Sequence, residues 1–370
     1  MTVEIIPVTK KNLNKFINFP YQLYKEDSFW VGDLKMDAKH LLTKDPFWRH
    51  ATKKLFLAVR SGKVVGRIAA IINHTHNEYW NEHTGMFGFF DSIDDSVVSD
   101  ALFKAAKTWL KEKGMAVIRG PFNPSTNHPC GMLVEDFTNV PFVMMPYNYP
   151  YYEKLVLSAG LNKVKDLLAF ERSEFDKFSP RFDKIINRAM SKQNIVMRPI
   201  DIKNINAEAL LIREIYNKSW AQNWGFLPMS EAEILELAKQ LKMIVDPRLT
   251  CIAEMDGKPA GFYICVPNMN DVLKILKGSI LNPIRLAKAL IAWKKIKTAR
   301  LIMLGVLPEY RKRGLDLILM KHIVEGGPKV GYWMAELSWM LEDNKNILTA
   351  ITEAGCREMK RRYRVFETLL

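Results

Sequence analysis

From Leu307 to Leu315 the chain reads LPEYRKRGL, three consecutive cations ahead of a single glycine. The preceding Arg300–Leu307 is short and mostly apolar, so it reads as a buried strand. After Gly314 the residues Leu315, Ile318, Leu319, His322 and Ile323 fall at helical spacing. A strand, a basic glycine turn and a helix in that order aim free backbone N–H groups at an anion. Arg311 and Arg313 add charge-assisted hydrogen bonds to phosphate oxygens. The same spacing suits an ordinary strand-to-helix turn with a solvated basic loop, and spacing does not choose between the two.

Other residues could carry chemistry. His128 lies in Asn123–Gly131, NPSTNHPCG, a loop composition that suits catalysis or substrate contact, although a turn with an exposed histidine is commoner. Trp220, Asn223, Trp224 and Phe226, in WAQNWGF, read either as core or as a substrate wall. For the cluster Tyr147, Tyr149, Tyr151 and Tyr152, core packing is the better reading. His74, His76 and His83 lie in a polar connector with no cysteine and no helix-spaced partner, so no metal is expected. Cys130, Cys251, Cys265 and Cys356 are scattered and read as buried thiols of a reducing cytosol.

The elements that must position these residues come in two similar sets. TCIAEMDGKPAGFYICVP matches LFLAVRSGKVVGRIAAII, with Ala253 opposite Ala58, Gly257–Lys258 opposite Gly62–Lys63 and Gly261 opposite Gly66. Each is a strand pair about a tight turn, and each is followed by a further strand and a helix (Gly85–Asp91 then Ala101–Lys113 in the first half), so the spacing predicts a duplicated α/β unit with a mixed sheet. VEIIPV alternates like an edge strand, and Lys11–Tyr24 reads as a helix interrupted at Pro20. Ala207–Trp220 and Glu231–Leu241 read as helices. The polar, basic Lys177–Asn194 reads as a connector, giving domains at 1–185 and 186–370.

At 370 residues and 48% hydrophobic, the chain can bury two cores. No apolar run is long enough for a membrane span and Met1–Lys10 has no signal-peptide pattern, so a cytoplasmic protein is expected. Net charge is +14, which favours anionic partners: a phosphate-bearing cofactor, RNA or an anionic membrane surface. Half of that excess sits in Asp271–Arg300, with eight Lys/Arg against Asp271 alone. Within it Leu286, Leu290 and Trp293 form a stripe with Arg285, Lys288 and Lys295 opposite. The stripe fits a helix packed on its domain with a solvated face, or one lying on an anionic membrane surface. Gly278 and Asn282–Pro283 predict two helical pieces.

PEYRKRG resembles the acyl-CoA pyrophosphate loop of the GNAT acyltransferase superfamily, Arg/Gln-x-x-Gly-x-Gly/Ala, with Arg311 and Gly314 in place and Asp316 where a small residue is usual. LEDNKNILTAITEAGC resembles the superfamily's last helix, keeping Asn344 and Gly355 and placing Ile351 where many members carry a tyrosine that protonates the leaving thiolate. The resemblance covers most of both halves and implies tandem GNAT-like domains. It implies an acetyl-CoA or longer acyl-CoA co-substrate held by Leu304, Gly305 and Val306 along the pantetheine arm. Arg311, Lys312, Arg313, Gly314 and Leu315 would hold the pyrophosphate, with Asn344 nearby. It further implies direct attack by a primary amine, with Glu336 as general base and Trp220, Asn223, Trp224 and Phe226 about the acceptor. In the first half SIDDSVVSD replaces the basic turn, so that domain is expected to hold no cofactor. An aminoacyl-tRNA-dependent, Fem-like transferase is the first alternative, although nucleic acid is the less favoured partner. A non-catalytic protein of lipid or membrane surfaces, or one handling a lipid amine there, is the second.

Overall fold

The computed structural model describes residues 2–191 and 193–370. Met1 and Lys192, which fall in the expected leaderless N-terminus and the expected connector, lie outside them. Contacts divide the chain into two compact units. Unit 1 comprises 1–167, 272–290 and 361–370, and unit 2 comprises 168–271 and 291–360.

The chain opens with β1 (Glu4–Pro7), α1 (Leu13–Leu23) and α2 (Lys35–Thr43). A hairpin of β2 (Ala51–Arg60) and β3 (Lys63–Asn73) follows, then α3 (His74–Trp80), β4 (Thr84–Ser92), α4 (Ser96–Glu112) and β5 (Val117–Gly120). After β6 (Met132–Glu135), α5 (Tyr152–Ser158) and β7 (Asn162–Ser173) come α6 (Pro180–Met190), β8 (Ile195–Pro199), α7 (Ile205–Ser219) and α8 (Glu231–Leu241). The second hairpin is β9 (Thr250–Met255) with β10 (Lys258–Pro267), followed by α9 (Asn270–Leu276) and α10 (Pro283–Trp293). The rest is β11 (Thr298–Val306), α11 (Leu315–Lys329), β12 (Met334–Leu341), α12 (Lys345–Glu353) and β13 (Arg357–Leu369).

Unit 1 has the strand order β1-β2-β3-β4-β5-β13, with β6 also on β13, and unit 2 has β12-β11-β10-β9-β8. Both sheets are mixed: β4 runs parallel to β5 and β11 parallel to β12, while the hairpins are antiparallel. The duplication extends to detail. Ser61 and Gly62 turn at φ 50° and 75°, Asp256 and Gly257 at φ 52° and 75°. Two left-handed residues match the twist of a two-residue hairpin. Ala58 pairs with Gly66 and Ala253 with Gly261, and each hairpin carries its register shift at the same place.

The reading of α1 needs one correction: the helix passes through Pro20 without a break. Proline has no N–H to give the carbonyl one turn back. Arg67 supplies the missing donor, its Nη1 bonding the Phe16 carbonyl at 2.8 Å. The expected connector also proves structured. Ser179 caps α6, and Phe182, Ile186 and Ala189, spaced one turn apart, are buried in the core of unit 2. The units therefore part within β7, at Leu167, and not in 177–194.

The basic segment does form two helices, but it does not bury its stripe. Leu286 and Leu290 are exposed, as are Leu281 and Ile284, and Ala289 is the buried residue of α10. Arg300, counted with that segment in the sequence, is a buried member of β11. No helix among the described residues is long and apolar enough to cross a membrane.

Candidate functional site

Strand β11 is paired along its length on one side and half its length on the other. Against β10 the ladder runs from Ala299–Pro267 to Val306–Gly261. Against β12 it runs only from Thr298–Met334 to Leu301–Leu337. Among the described residues Ile302–Val306 thus keeps a sheet edge without a strand partner, and an extended ligand chain can use its amides as an added strand. Leu304, Gly305 and Val306 all lie on this stretch. Gly305 allows close packing beneath it: a Cβ there would meet the Phe262 ring at 2.8 Å and Ser219 Oγ at 3.0 Å.

The basic turn follows directly. A 3₁₀ turn at Pro308–Tyr310 leads to Lys312 at φ 60° and Gly314 at φ 81°, and α11 starts with no side chain capping it. The first N–H groups of a helix have no partner within it, and the end carries about half a positive charge. Arg311, Lys312 and Arg313 are exposed beside it, and none is in an ion pair among the described residues. Arg311 Nη2 donates to the Ser219 carbonyl, the last of α7. The Arg313 guanidinium lies over the Tyr310 ring, 5.5 Å from its centroid, and its carbonyl accepts from Gln193 Nε2 at 3.1 Å. Asp316 is half-buried in the first turn of α11. A free strand edge leading into an open, cationic helix terminus fits a long ligand ending in a pyrophosphate.

The corresponding terminus in unit 1 is closed. Asp95 caps α4, accepting from Val97 N at 2.9 Å, and Arg60 Nη1 reaches its other oxygen at 2.8 Å. Arg60 and the backbone N–H groups hold this carboxyl below the usual range.

Glu336 is fully buried on β12, opposite Arg300 on β11. Ser338 Oγ donates to its Oε1 at 2.5 Å and accepts from Arg300 Nε at 2.9 Å, while Arg300 Nη2 donates to the Ser338 carbonyl at 2.9 Å. Ser338 is the first residue of β12 past the end of the ladder, so this polar group sits where the two strands part. Ala299, Leu301, Ala335 and Leu337 instead line a cavity of about 50 Å³ with Met320 and Ile323 of α11. Strand alternation therefore turns Glu336 and Ser338 away from α11. Sequence reading missed Arg300 and Ser338; the signal available was a buried acid and a basic residue in neighbouring apolar strands.

The aromatic stretch after α7 is split. Trp220 Nε1 donates to the Leu304 carbonyl at 3.2 Å, placing this indole against the free half of β11. Phe226 is core, packed with Tyr216 at 5.6 Å between ring centroids, and Tyr216 in turn lies 4.9 Å from Trp220. Asn223 and Trp224 are half-buried in the turn between them.

Asn344 Oδ1 caps α12, accepting from Ile347 N at 3.4 Å. His128, in unit 1, has Nδ1 2.8 Å from Ser125 Oγ and its ring against Phe47. His76 Nε2 lies 3.4 Å from Glu82, and His74 Nε2 lies 2.9 Å from Thr52 Oγ1. All four cysteines are buried free thiols, with burial pushing Cys251 and Cys356 up to about 12.

A sequence profile of the Acetyltransferase (GNAT) family matches residues 209–346, the stretch from α7 to the start of α12. Protein YghO of Escherichia coli (strain K12) is 35% identical over 368 residues, 97% of this chain and 93% of that protein. A bacterial ceramide synthase of Caulobacter vibrioides (strain NA1000 / CB15N) is 36% identical over 378 residues, covering 100% of this chain and 98% of that protein. Among solved structures, a tandem GNAT protein from the clavulanic acid biosynthesis pathway aligns with a TM-score of 0.55 at 12% identity, over 100% of this chain and 98% of its own. A GNAT protein from Sphaerobacter thermophilus aligns with a TM-score of 0.52 at 12% identity, over 99% and 95%.

Proposed function

The chain belongs to the GNAT acyltransferase family, with the tandem fold, and from this premise we propose that it transfers an acyl group from a CoA thioester to a primary amine, with unit 2 as the donor-binding unit. The observation that carries the reading is the uncapped end of α11, flanked by Arg311, Lys312 and Arg313 and continuous with the free edge at Leu304–Val306. The capped end of α4 supports assigning no donor to unit 1.

A CoA thioester supplies an activated carbonyl, and the rest is positioning. The edge amides of β11 orient the pantetheine arm, and the turn from Arg311 to Leu315 takes the pyrophosphate. Asn344 contributes by fixing the start of α12. Trp220, braced on the Leu304 carbonyl, forms one wall of the acceptor site, with Asn223 and Trp224 continuing it and Phe226 supporting it from the core. An amine resembling lysine is mostly protonated at neutral pH and must lose a proton to attack. In this reading Ser338 Oγ takes that proton and passes its own to Glu336, so Glu336 acts through Ser338. His128 braces the Asn123–Gly131 loop.

For the acceptor we propose a long-chain amine. A relative covering the whole chain is named a ceramide synthase, and a ceramide is a long-chain amino alcohol acylated on nitrogen. The test is calorimetric titration with acetyl-, medium- and long-chain acyl-CoA, followed by thiol release on adding a sphingoid base or a soluble diamine. Long-chain thioester binding and release with the sphingoid base support the reading. Failure of every thioester to bind would overturn the donor assignment, and release with soluble amines alone would overturn the lipid acceptor.

A further inference from the structure

We infer that the helical excursion between β10 and β11 is a docking surface for an anionic bilayer. The inference rests on exposure and charge and goes beyond the acceptor's identity.

The excursion is mounted firmly on unit 1. Val272 and Leu276 of α9 are buried, and Lys274 Nζ donates to the Ser28 carbonyl at 2.6 Å. The Lys35 amide bonds the Gly278 carbonyl at 3.0 Å, and Tyr21 packs so closely on Gly278 that a Cβ there would lie 2.5 Å from its ring. Lys277 and Gly278, at φ 47° and 78°, then redirect the chain. Past that point the packing stops.

Of the sixteen large apolar side chains exposed among the described residues, five fall within 280–290, which makes this a patch and not scatter: Ile280, Leu281, Ile284, Leu286 and Leu290. Leu281 is 89% exposed and Ile284 67%. Ala289 alone of the first eight α10 residues is buried. A helix that must face water would place these side chains inward. The excursion 272–290 also carries Lys274, Lys277, Arg285 and Lys288 and no acidic residue. Lys277, Arg285 and Lys288 are exposed with the apolar group. Apolar side chains interleaved with cations on a short exposed helix match an interface whose apolar layer lies just beneath anionic headgroups. The absence of acids disfavours a second copy of the same patch, since like charges would meet across the two-fold contact.

The test is flotation of the full-length protein with vesicles of phosphatidylglycerol and phosphatidylcholine, and with phosphatidylcholine alone, without thioester or amine. The protein is expected to float with the anionic vesicles, less so as salt is raised. Leu281→Ser/Ile284→Ser/Leu290→Ser should lower the partition coefficient at least tenfold. Arg285→Gln/Lys288→Gln should lower it about fivefold per charge on anionic vesicles only. These residues are exposed, so circular dichroism should report folded variants, and calorimetry with CoA thioester should give unchanged affinity. Absence of wild-type flotation, or flotation of the triple variant at the wild-type level, would overturn the inference. A concentration-dependent dimer lost in the triple variant, seen by analytical ultracentrifugation with no vesicle binding, would reassign the patch to self-association. None of these readouts depends on acyl transfer, so the catalytic proposal stands or falls separately.

Discussion

Arg311 Nη2 donates to the carbonyl of Ser219, so one guanidinium joins the basic turn to the C-terminus of α7. The cation satisfies an unpaired carbonyl at a helix end, where positive charge is favoured. In the proposed function the remaining N–H groups of Arg311 serve the pyrophosphate. Arg311→Ala is expected to weaken CoA binding at least tenfold, since a charge-assisted hydrogen bond contributes about 1.5–3 kcal/mol. Gly314→Glu should do the same by placing a carboxylate on a left-handed residue whose Cβ would sit 3.1 Å from that of Ala189. Calorimetry with CoA reads both, and unchanged affinity in the pair would move the donor elsewhere.

Asp316 puts a carboxylate into the first turn of α11. It helps the helix and opposes a bound anion by the same electrostatics. Asp316→Asn should therefore tighten CoA binding by several-fold while lowering thermal stability slightly. Weaker binding would show that the carboxylate organises the turn and does not repel the ligand.

The Arg300–Ser338–Glu336 group makes a separable prediction. Glu336→Gln and Ser338→Ala should each lower kcat about a hundredfold with little change in the thioester dissociation constant. In both, the rise of rate with pH should change shape, since the proposed proton acceptor is removed or cut off. A fall in kcat matched by loss of folded protein, with the pH profile intact, would make the group structural.

Asp166 tests stability rather than function. Burial works to raise this carboxyl, but hydrogen bonds from Arg364 and Lys163 outweigh it and hold the group below the usual range. A depressed carboxyl stabilises the fold above the unfolded value near about pH 4, and that contribution is lost as pH falls toward the folded value. Asp166→Asn leaves Arg364 with Glu153 as its remaining acid and should cost about 1.5–3 kcal/mol at neutral pH. In acid the variant and the wild type should converge, as read by urea midpoints at pH 7 and pH 3.

What was legible in the sequence was what local chemistry decides. The hairpins at Ser61–Gly62 and Asp256–Gly257, the Gly314 turn and α8 with its Ser230–Glu233 capping box follow from a few neighbouring residues each. Strand β13 was not legible. Its Arg361 is 1% exposed because Asp136 waits for it, and Arg364 is held by Asp166 and Glu153, all far away in sequence. Arg300 was misread for the same reason: its partner lies 38 residues on. For α10, amphipathic spacing identified an apolar stripe and could not say what covers it.

The contrast between Asp95 and Gly314 has a consequence for how this chain spends its stability. A capping side chain is worth about 1 kcal/mol to a helix, and α4 has taken it while α11 goes without. Folding alone thus leaves α11 under-secured at the end where an anion would complete it. An anion bound there should then raise the melting of unit 2 more than that of unit 1, as read by calorimetry with and without CoA. The unfilled cap is stability forgone at folding and recovered on binding.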